Sequence, residues 1–239
     1  MKVQNFLIGP GRSGTSFIYN ALLRNNFTGI PHIKEPQFFD RNFHRGIEWY
    51  HSLYPNSDTP RWDFSNRYYL DPAVIKRIFE YNKHANIFFI ERDQKDLFRS
   101  FMYFELRKGK SKKEIIALFP KKFIETDMKV QLAPWKEYFD IHVISFKEIT
   151  ENPQQFFENQ FGICNINLSG VDTNASLTPR YKIYGILAKS VARKLRKFGF
   201  FRILSYLKRS SILKYIFFAD RKVYWLDREL KKFLTDYDA

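Results

Sequence analysis

Cysteine is nearly absent from this chain. Cys164 is the one thiol in 239 residues, so no intrachain disulfide can form and nothing points to an oxidising compartment. Long apolar runs are missing too: no stretch approaches the roughly 18 uncharged apolar residues of a spanning helix. The opening run Val3 to Ile8 is interrupted by Gln4 and Asn5 and passes straight into glycines, unlike a secretory leader. These absences lead us to expect a cytoplasmic protein that is not integral to a membrane. The five histidines show no metal-ligand spacing, and no metal is expected.

Acid is scarce in one place. Between Arg180 and Lys222 there are thirteen basic residues and one acid, Asp220, so +12 of the net +15 lies in that segment. The remainder is close to balanced, as in an ordinary globular enzyme. We therefore expect a core of residues 1–179 and a basic amphipathic helical segment, 180–239, packed on or capping it. Apolar clusters alternate there with Lys and Arg at helical spacing, broken near Gly199. Such a surface suits peripheral contact with anionic lipid at the inner membrane face through 183–218, steering of an acidic glycan, or a solvated lid. A nucleic-acid partner is set aside, because no nucleic-acid-binding fold is legible.

The core reads as alternating strands and helices. Val3 to Ile8 is a strand, and Thr15 to Arg24 carries apolar residues at helical spacing. "FHRGIEWYHSLYP" reads as a helix closed by Pro55, and "DPAVIKRIFEYNK" as one with Asp71 at the N-cap and Pro72 at the first helical position. "NIFFIE" and "IHVISF" are apolar without alternation, which suits parallel strands covered on both faces. Lys112 to Tyr138 is largely helical, "NPQQFFENQFG" is a short helix, and Leu168 to Thr178 an irregular loop.

What the chain lacks at its most informative motif is a lysine. "LIGPGRSGTS" fits the phosphate-loop pattern at Gly9, Gly14 and Ser16, but Thr15 stands where the lysine belongs. Backbone amides at a glycine turn feeding a helix N-terminus cradle an anion. The heavily charged phosphates of ATP also require that lysine and magnesium. Here Arg12 lies inside the loop, and a guanidinium suits a less charged phosphate without a metal. The alternative is a plain glycine-rich turn. The fold class expected is α/β: a P-loop-like three-layer sandwich with a central parallel sheet, plus the basic helical C-terminal segment.

"GPGRSGTS" after a strand, "KEPQFFD" some twenty residues on and "ERDQKDLFRS" after a later strand together resemble the sulfotransferases that use 3′-phosphoadenosine 5′-phosphosulfate (PAPS), in particular the heparan-type, tyrosyl-protein and bacterial members. The resemblance runs from about Lys2 to Pro153. It implies transfer of a sulfuryl group from PAPS, as co-substrate, to a hydroxyl acceptor such as a carbohydrate or glycolipid, with no metal. Gly11, Arg12, Ser13, Gly14, Thr15 and Ser16 would hold the 5′-phosphosulfate, Arg12 meeting charge on the bridging oxygen. Arg92 and Ser100, eight positions apart, would hold the 3′-phosphate; the alternative for Arg92 is pairing with Asp93 or Asp96. Glu35 would be the general base and Lys34 a second cation near the sulfuryl oxygens, unless Glu35 merely pairs with Lys34 or Arg12. "NASLTPR" resembles a segment of bacterial relatives, which directs Arg180 toward donor or acceptor.

Departures from the family pattern bear on these roles. Gln94 stands where the family usually has Pro. In "WDFSNRYYL" the relatives' transition-state lysine is replaced by Phe64, leaving Lys34 or Arg67 to substitute. Tyr68 and Tyr69 either line the acceptor cleft or fill the core. His32 competes with Glu35 as base, while His44, His51, His84 and His142 are expected to be structural. Two other readings are a P-loop kinase that turns over ATP with magnesium, and a non-catalytic module binding nucleotide or acidic membrane.

Overall fold

The structure, a computed structural model, describes residues 1–171, 177–179, 190–195, 218–220 and 223–238. The chain divides into two compact units, Met1–Gln94 with Ile124–Thr173, and Lys95–Phe123 with Asn174–Ala239.

The first unit is built on four parallel strands, β1 (Asn5–Ile8), β2 (Trp62–Asp63), β3 (Asn86–Glu91) and β4 (Ile141–Ser145), in the order β2-β1-β3-β4. Its helices include α1 (Thr15–Arg24), α2 (Gly46–His51) and α3 (Pro72–Tyr81). After the second unit's helices α4 (Gln94–Arg107, which begins in the first unit), α5 (Lys112–Ile116) and α6 (Phe119–Glu125), the chain adds α7 (Met128–Lys136), α8 (Phe146–Glu151) and α9 (Pro153–Phe161). Successive strand residues face opposite sides of the sheet. Phe6, Ile8, Ile87 and Phe89 join α3 and α7 through Val74, Ile78, Leu132 and Trp135. Leu7 and Ile90 join α1 and α9 through Ile18, Leu22, Phe156 and Phe157 on the other side. The sheet is thus the middle layer of a three-layer α/β sandwich.

Local signals explain several boundaries. Asp71 caps α3, its side chain accepting the Ala73 N–H, and Pro72 opens the helix. Lys112 to Tyr138 is helical in three pieces, with the Ser111–Glu114 capping box starting α5 and Asp127 capping α7. Other boundaries differ from expectation. The helix read in "FHRGIEWYHSLYP" is a 3₁₀ turn, Phe43–Arg45, followed by α2, because Gly46 has φ 78 and ψ 160; α2 ends at His51, before Pro55. β4 is an edge strand and is not covered on both faces: Val143 is 48% exposed, and exposed His142 stacks on Phe88 at 4.9 Å. Leu177 and Thr178, expected in a loop, belong to β5 (Leu177–Pro179), which pairs antiparallel with β6 (Phe218–Asp220).

In the second unit, Phe98 and Met102 of α4 bury against Ile115, Phe119 and Phe123 and against Leu226 and Leu230 of α10 (Tyr224–Asp238). Arg99 on α4 pairs with Asp227 at 2.9 Å.

Candidate active site

In a parallel α/β sheet, ligand sites form beyond the carboxyl ends of the strands. Here β1 runs into the glycine loop, β2 ends at Asp63, β3 leads to Arg92 and β4 leads to Phe146. Gly9, at φ +114, turns the chain out of β1, and a Cβ there would lie 3.0 Å from the Phe89 ring. Gly14, at φ +84, is the left-handed N-cap of α1, and a Cβ there would lie 3.3 Å from the Phe146 ring. Glycine suits both turns because it carries no Cβ.

Arg12 is left-handed as well, at φ 72, a conformation that costs an ordinary residue roughly 1–2 kcal/mol. Its carbonyl accepts a hydrogen bond from the Arg92 guanidinium at 2.6 Å. That guanidinium also lies 4.5 Å from the centre of the Phe146 ring. The loop, the end of β3 and the start of α8 therefore meet at one point. Within the loop Ser13 and Thr15 are buried, Gly11, Arg12 and Gly14 are half-buried, and Ser16 is exposed. The Ser13 hydroxyl is buried with no hydrogen-bond partner among the described residues. An orphaned hydroxyl in such a loop fits a phosphate or sulfate ligand, which would supply the missing acceptor.

The second cluster is the Glu35 loop. Lys34 Nζ donates to Glu35 Oε1, and Gln37 Nε2 approaches Oε2 at 3.4 Å. Glu35 and Gln37 both have positive φ, 60 and 48, and such conformations in non-glycine residues gather at functional sites. The loop is held from several sides. Tyr19 of α1 donates to Pro31 O at 2.8 Å, Asn42 Nδ2 donates to Pro36 O at 2.7 Å, and Arg77 of α3 donates to Phe39 O at 2.6 Å. Phe38 stacks on Tyr50 with centroids 4.5 Å apart.

The sequence profile described as "Sulfotransferase domain" matches residues 2–169. The chain belongs to the sulfotransferase family. Two curated relatives carry the same chemistry in their names. The Caenorhabditis elegans bifunctional heparan sulfate N-deacetylase/N-sulfotransferase 1 is 33% identical over 90 residues, 35% of this chain and 11% of the relative. The Homo sapiens protein of that name is 32% identical over 80 residues, 30% of this chain and 9% of the relative. The chain thus spans about a tenth of the length of the curated relatives it matches. The crystal structure of a sulfotransferase from Alicyclobacillus acidocaldarius superposes with a TM-score of 0.58 at 18% identity, covering 95% of this chain and 99% of that one, which establishes the shared fold.

Within this sulfotransferase fold the remaining sequence expectations find their places. Ser100 is half-buried on α4. Arg180 lies outside the described residues, as does 183–218 apart from 190–195, which is helical with Arg193 and Lys194 exposed, and the strand 218–220. Phe64, at the position where the family resemblance implies a lysine, is fully buried against Tyr19 and Trp62, so that position contributes to the core. Tyr68 and Tyr69 are also core residues: Tyr68 bonds Asp63 at 3.0 Å, and Tyr69 donates to Glu125 O at 3.3 Å. Arg67 is exposed. His32 is an exposed loop residue, while His51 Nε2 lies 2.9 Å from the Tyr81 hydroxyl. Among the described residues no three His, Cys, Asp or Glu side chains gather as a metal site, and no helix is long and apolar enough to cross a membrane.

Two functional groups escaped the sequence reading. Phe146 ends the stretch "IHVISF", read as a strand and given no role at the site, yet its ring lies beside both Arg92 and Gly14. Asp63 and Ser65, which flank Phe64, carry no role in the sequence reading. Asp63 is buried, accepts from Tyr50 at 2.7 Å and from the Ser65 N–H at 2.8 Å, and burial pushes its carboxyl up to about 6. The available signal was Asp63 itself, an acid in "WDFSNRYYL" where the family resemblance implies one.

Proposed function

We propose that this sulfotransferase transfers the sulfuryl group of PAPS to a hydroxyl acceptor, by in-line displacement and without a metal. The acceptor oxygen attacks sulfur, the bond from sulfur to the bridging oxygen of the 5′-phosphate breaks, and Glu35 takes the acceptor proton. Arg12 and Lys34 meet the charge that develops on the leaving oxygen. Arg92 binds the 3′-phosphate; assigning Ser100 to the same phosphate rests on the resemblance and its eight-residue spacing. The carrying observation is the Arg92 guanidinium held against the Arg12 carbonyl at 2.6 Å. A fixed cation thereby stands beside a phosphate loop that lacks the ATP-type lysine, and a guanidinium fork suits a phosphate monoester.

A carbohydrate acceptor is favoured by the heparan sulfate enzymes among the relatives. Their names specify N-sulfation, so an amino group of a sugar is the second reading for the acceptor atom. Glu35 would serve either by accepting the proton released from the attacking atom.

Calorimetric titration with 3′-phosphoadenosine 5′-phosphate, ADP and ATP, each with EDTA and with magnesium, tests the donor. Metal-independent binding of the 3′-phosphorylated nucleotide alone is expected. Preference for ATP with magnesium would turn the assignment to a kinase, and silence for all three would favour a module that acts through its basic segment.

A further inference from the structure

The loop carrying Glu35 donates two of its backbone hydrogen bonds to side-chain hydroxyls. The Gln37 N–H donates to Ser65 Oγ at 2.8 Å and the Phe39 N–H donates to the Tyr68 hydroxyl at 3.2 Å. Both acceptors depend on one carboxylate. Asp63 Oδ1 accepts the Ser65 N–H at 2.8 Å, and Oδ2 accepts the Tyr68 hydroxyl at 3.0 Å and the Tyr50 hydroxyl at 2.7 Å. The Tyr50 ring is the one stacked on Phe38. Asp63 itself is 1% exposed and is paired in register with Phe6 of β1, three residues before Gly9.

The chain of contacts therefore runs from the sheet, through one buried carboxylate and two hydroxyls, to main-chain amides two and four residues beyond Glu35. A buried carboxylate with no cation bonded to it among the described residues is an expensive way to fill a core. A short hydrogen-bonded relay from a rigid strand is also what holds a reactive group on a loop within catalytic tolerance. We infer that Asp63 is a positioning residue for Glu35, fixing the strained loop that carries the base through Ser65 and Tyr68. The inference rests on the reading of Glu35 as base.

The test combines amide hydrogen exchange followed by NMR with steady-state kinetics, using PAPS and a de-N-sulfated heparan oligosaccharide as the acceptor probe. Ser65→Ala is expected to speed exchange of the Gln37 amide about tenfold or more and leave Phe39 protected; Tyr68→Phe should do the reverse. Asp63→Asn should expose both, lowering kcat at least tenfold while KM for PAPS and affinity for 3′-phosphoadenosine 5′-phosphate stay near wild type. Unchanged protection at both amides in folded Asp63→Asn would overturn the inference. So would a wild-type kcat in that variant beside an inactive Glu35→Gln. A fully active Glu35→Gln would instead sink the base assignment, and the exchange data would still decide whether Asp63 holds the loop. If Asp63→Asn does not fold, the two single-hydroxyl variants carry the same test.

Discussion

The Arg92 guanidinium and the Arg12 carbonyl meet at 2.6 Å, joining the end of β3 to the middle of the phosphate loop. Arg92 therefore has two tasks in the proposed enzyme: holding the loop in its strained form and binding the donor's 3′-phosphate. Arg92→Ala should weaken both 3′-phosphoadenosine 5′-phosphate and ADP, because both need the loop. The 3′-phosphorylated nucleotide should lose a further factor of about 10 to 100, the worth of a hydrogen bond to a charged group. Calorimetry on both ligands measures the difference, and equal losses would remove the 3′-phosphate from Arg92.

Ser13 makes a complementary case. Its buried hydroxyl has no partner among the described residues, and such a group destabilises the fold that buries it. Ser13→Ala should consequently leave the melting temperature unchanged or raise it, while reducing affinity for 3′-phosphoadenosine 5′-phosphate by roughly tenfold, about one hydrogen bond. Thermal melts beside calorimetry separate this from a structural role, in which stability would fall and affinity would not.

These two residues also show where sequence reasoning reached and where it stopped. The glycines, the loop before α1 and the Asp71–Pro72 helix start were legible because each is a local rule about backbone conformation. The strain at Arg12 and Glu35 was not, since neither Arg nor Glu signals a left-handed turn; only the surrounding contacts impose it. β2 is two residues long and carries no periodicity, yet it places Asp63. Phe64 could be identified as a departure from the relatives' lysine, but its burial against Tyr19 and Trp62 is a tertiary fact. The exposure of Val143 follows likewise from β4 lying at the sheet edge, a matter of strand order.

Glu35→Gln keeps the shape of the side chain and removes its ability to take a proton. The expected loss in kcat is about 10²- to 10⁴-fold, with binding of 3′-phosphoadenosine 5′-phosphate retained because the phosphate loop is untouched. His32→Gln, at an exposed residue, should stay within a few-fold of wild type. The reverse pattern would transfer the base role to His32.

Asp63 gives a pH prediction whose sign follows from its environment. Burial raises its pKa from 3.8 to about 6, so between those values the folded protein binds a proton that the unfolded chain has released. Stability from this group is therefore highest below about pH 4 and falls as pH rises toward 6; a shift of about two pKa units corresponds to roughly 3 kcal/mol. The titratable groups around it are the Tyr50, Tyr54, Tyr68 and Tyr81 phenols, each raised chiefly by burial and further by the Asp63 charge, while the Arg61 charge acts on Tyr54 and Tyr81. Those phenols stay neutral across this window, so the proton lost at this site on raising the pH from 4 to 7 is that of Asp63. In Asp63→Asn this contribution should vanish while those of Asp40 and His51 remain: the variant is less stable than wild type near pH 4, where it exchanges a carboxylic acid for an amide, and gains roughly 3 kcal/mol on it by pH 7. Urea unfolding at the two pH values measures the difference, and parallel stability curves for the two proteins would mean that Asp63 does not titrate in this range. A variant that is relatively more stable at neutral pH, yet slower in transfer, would identify the buried charge as one retained for holding the Glu35 loop rather than for holding the fold.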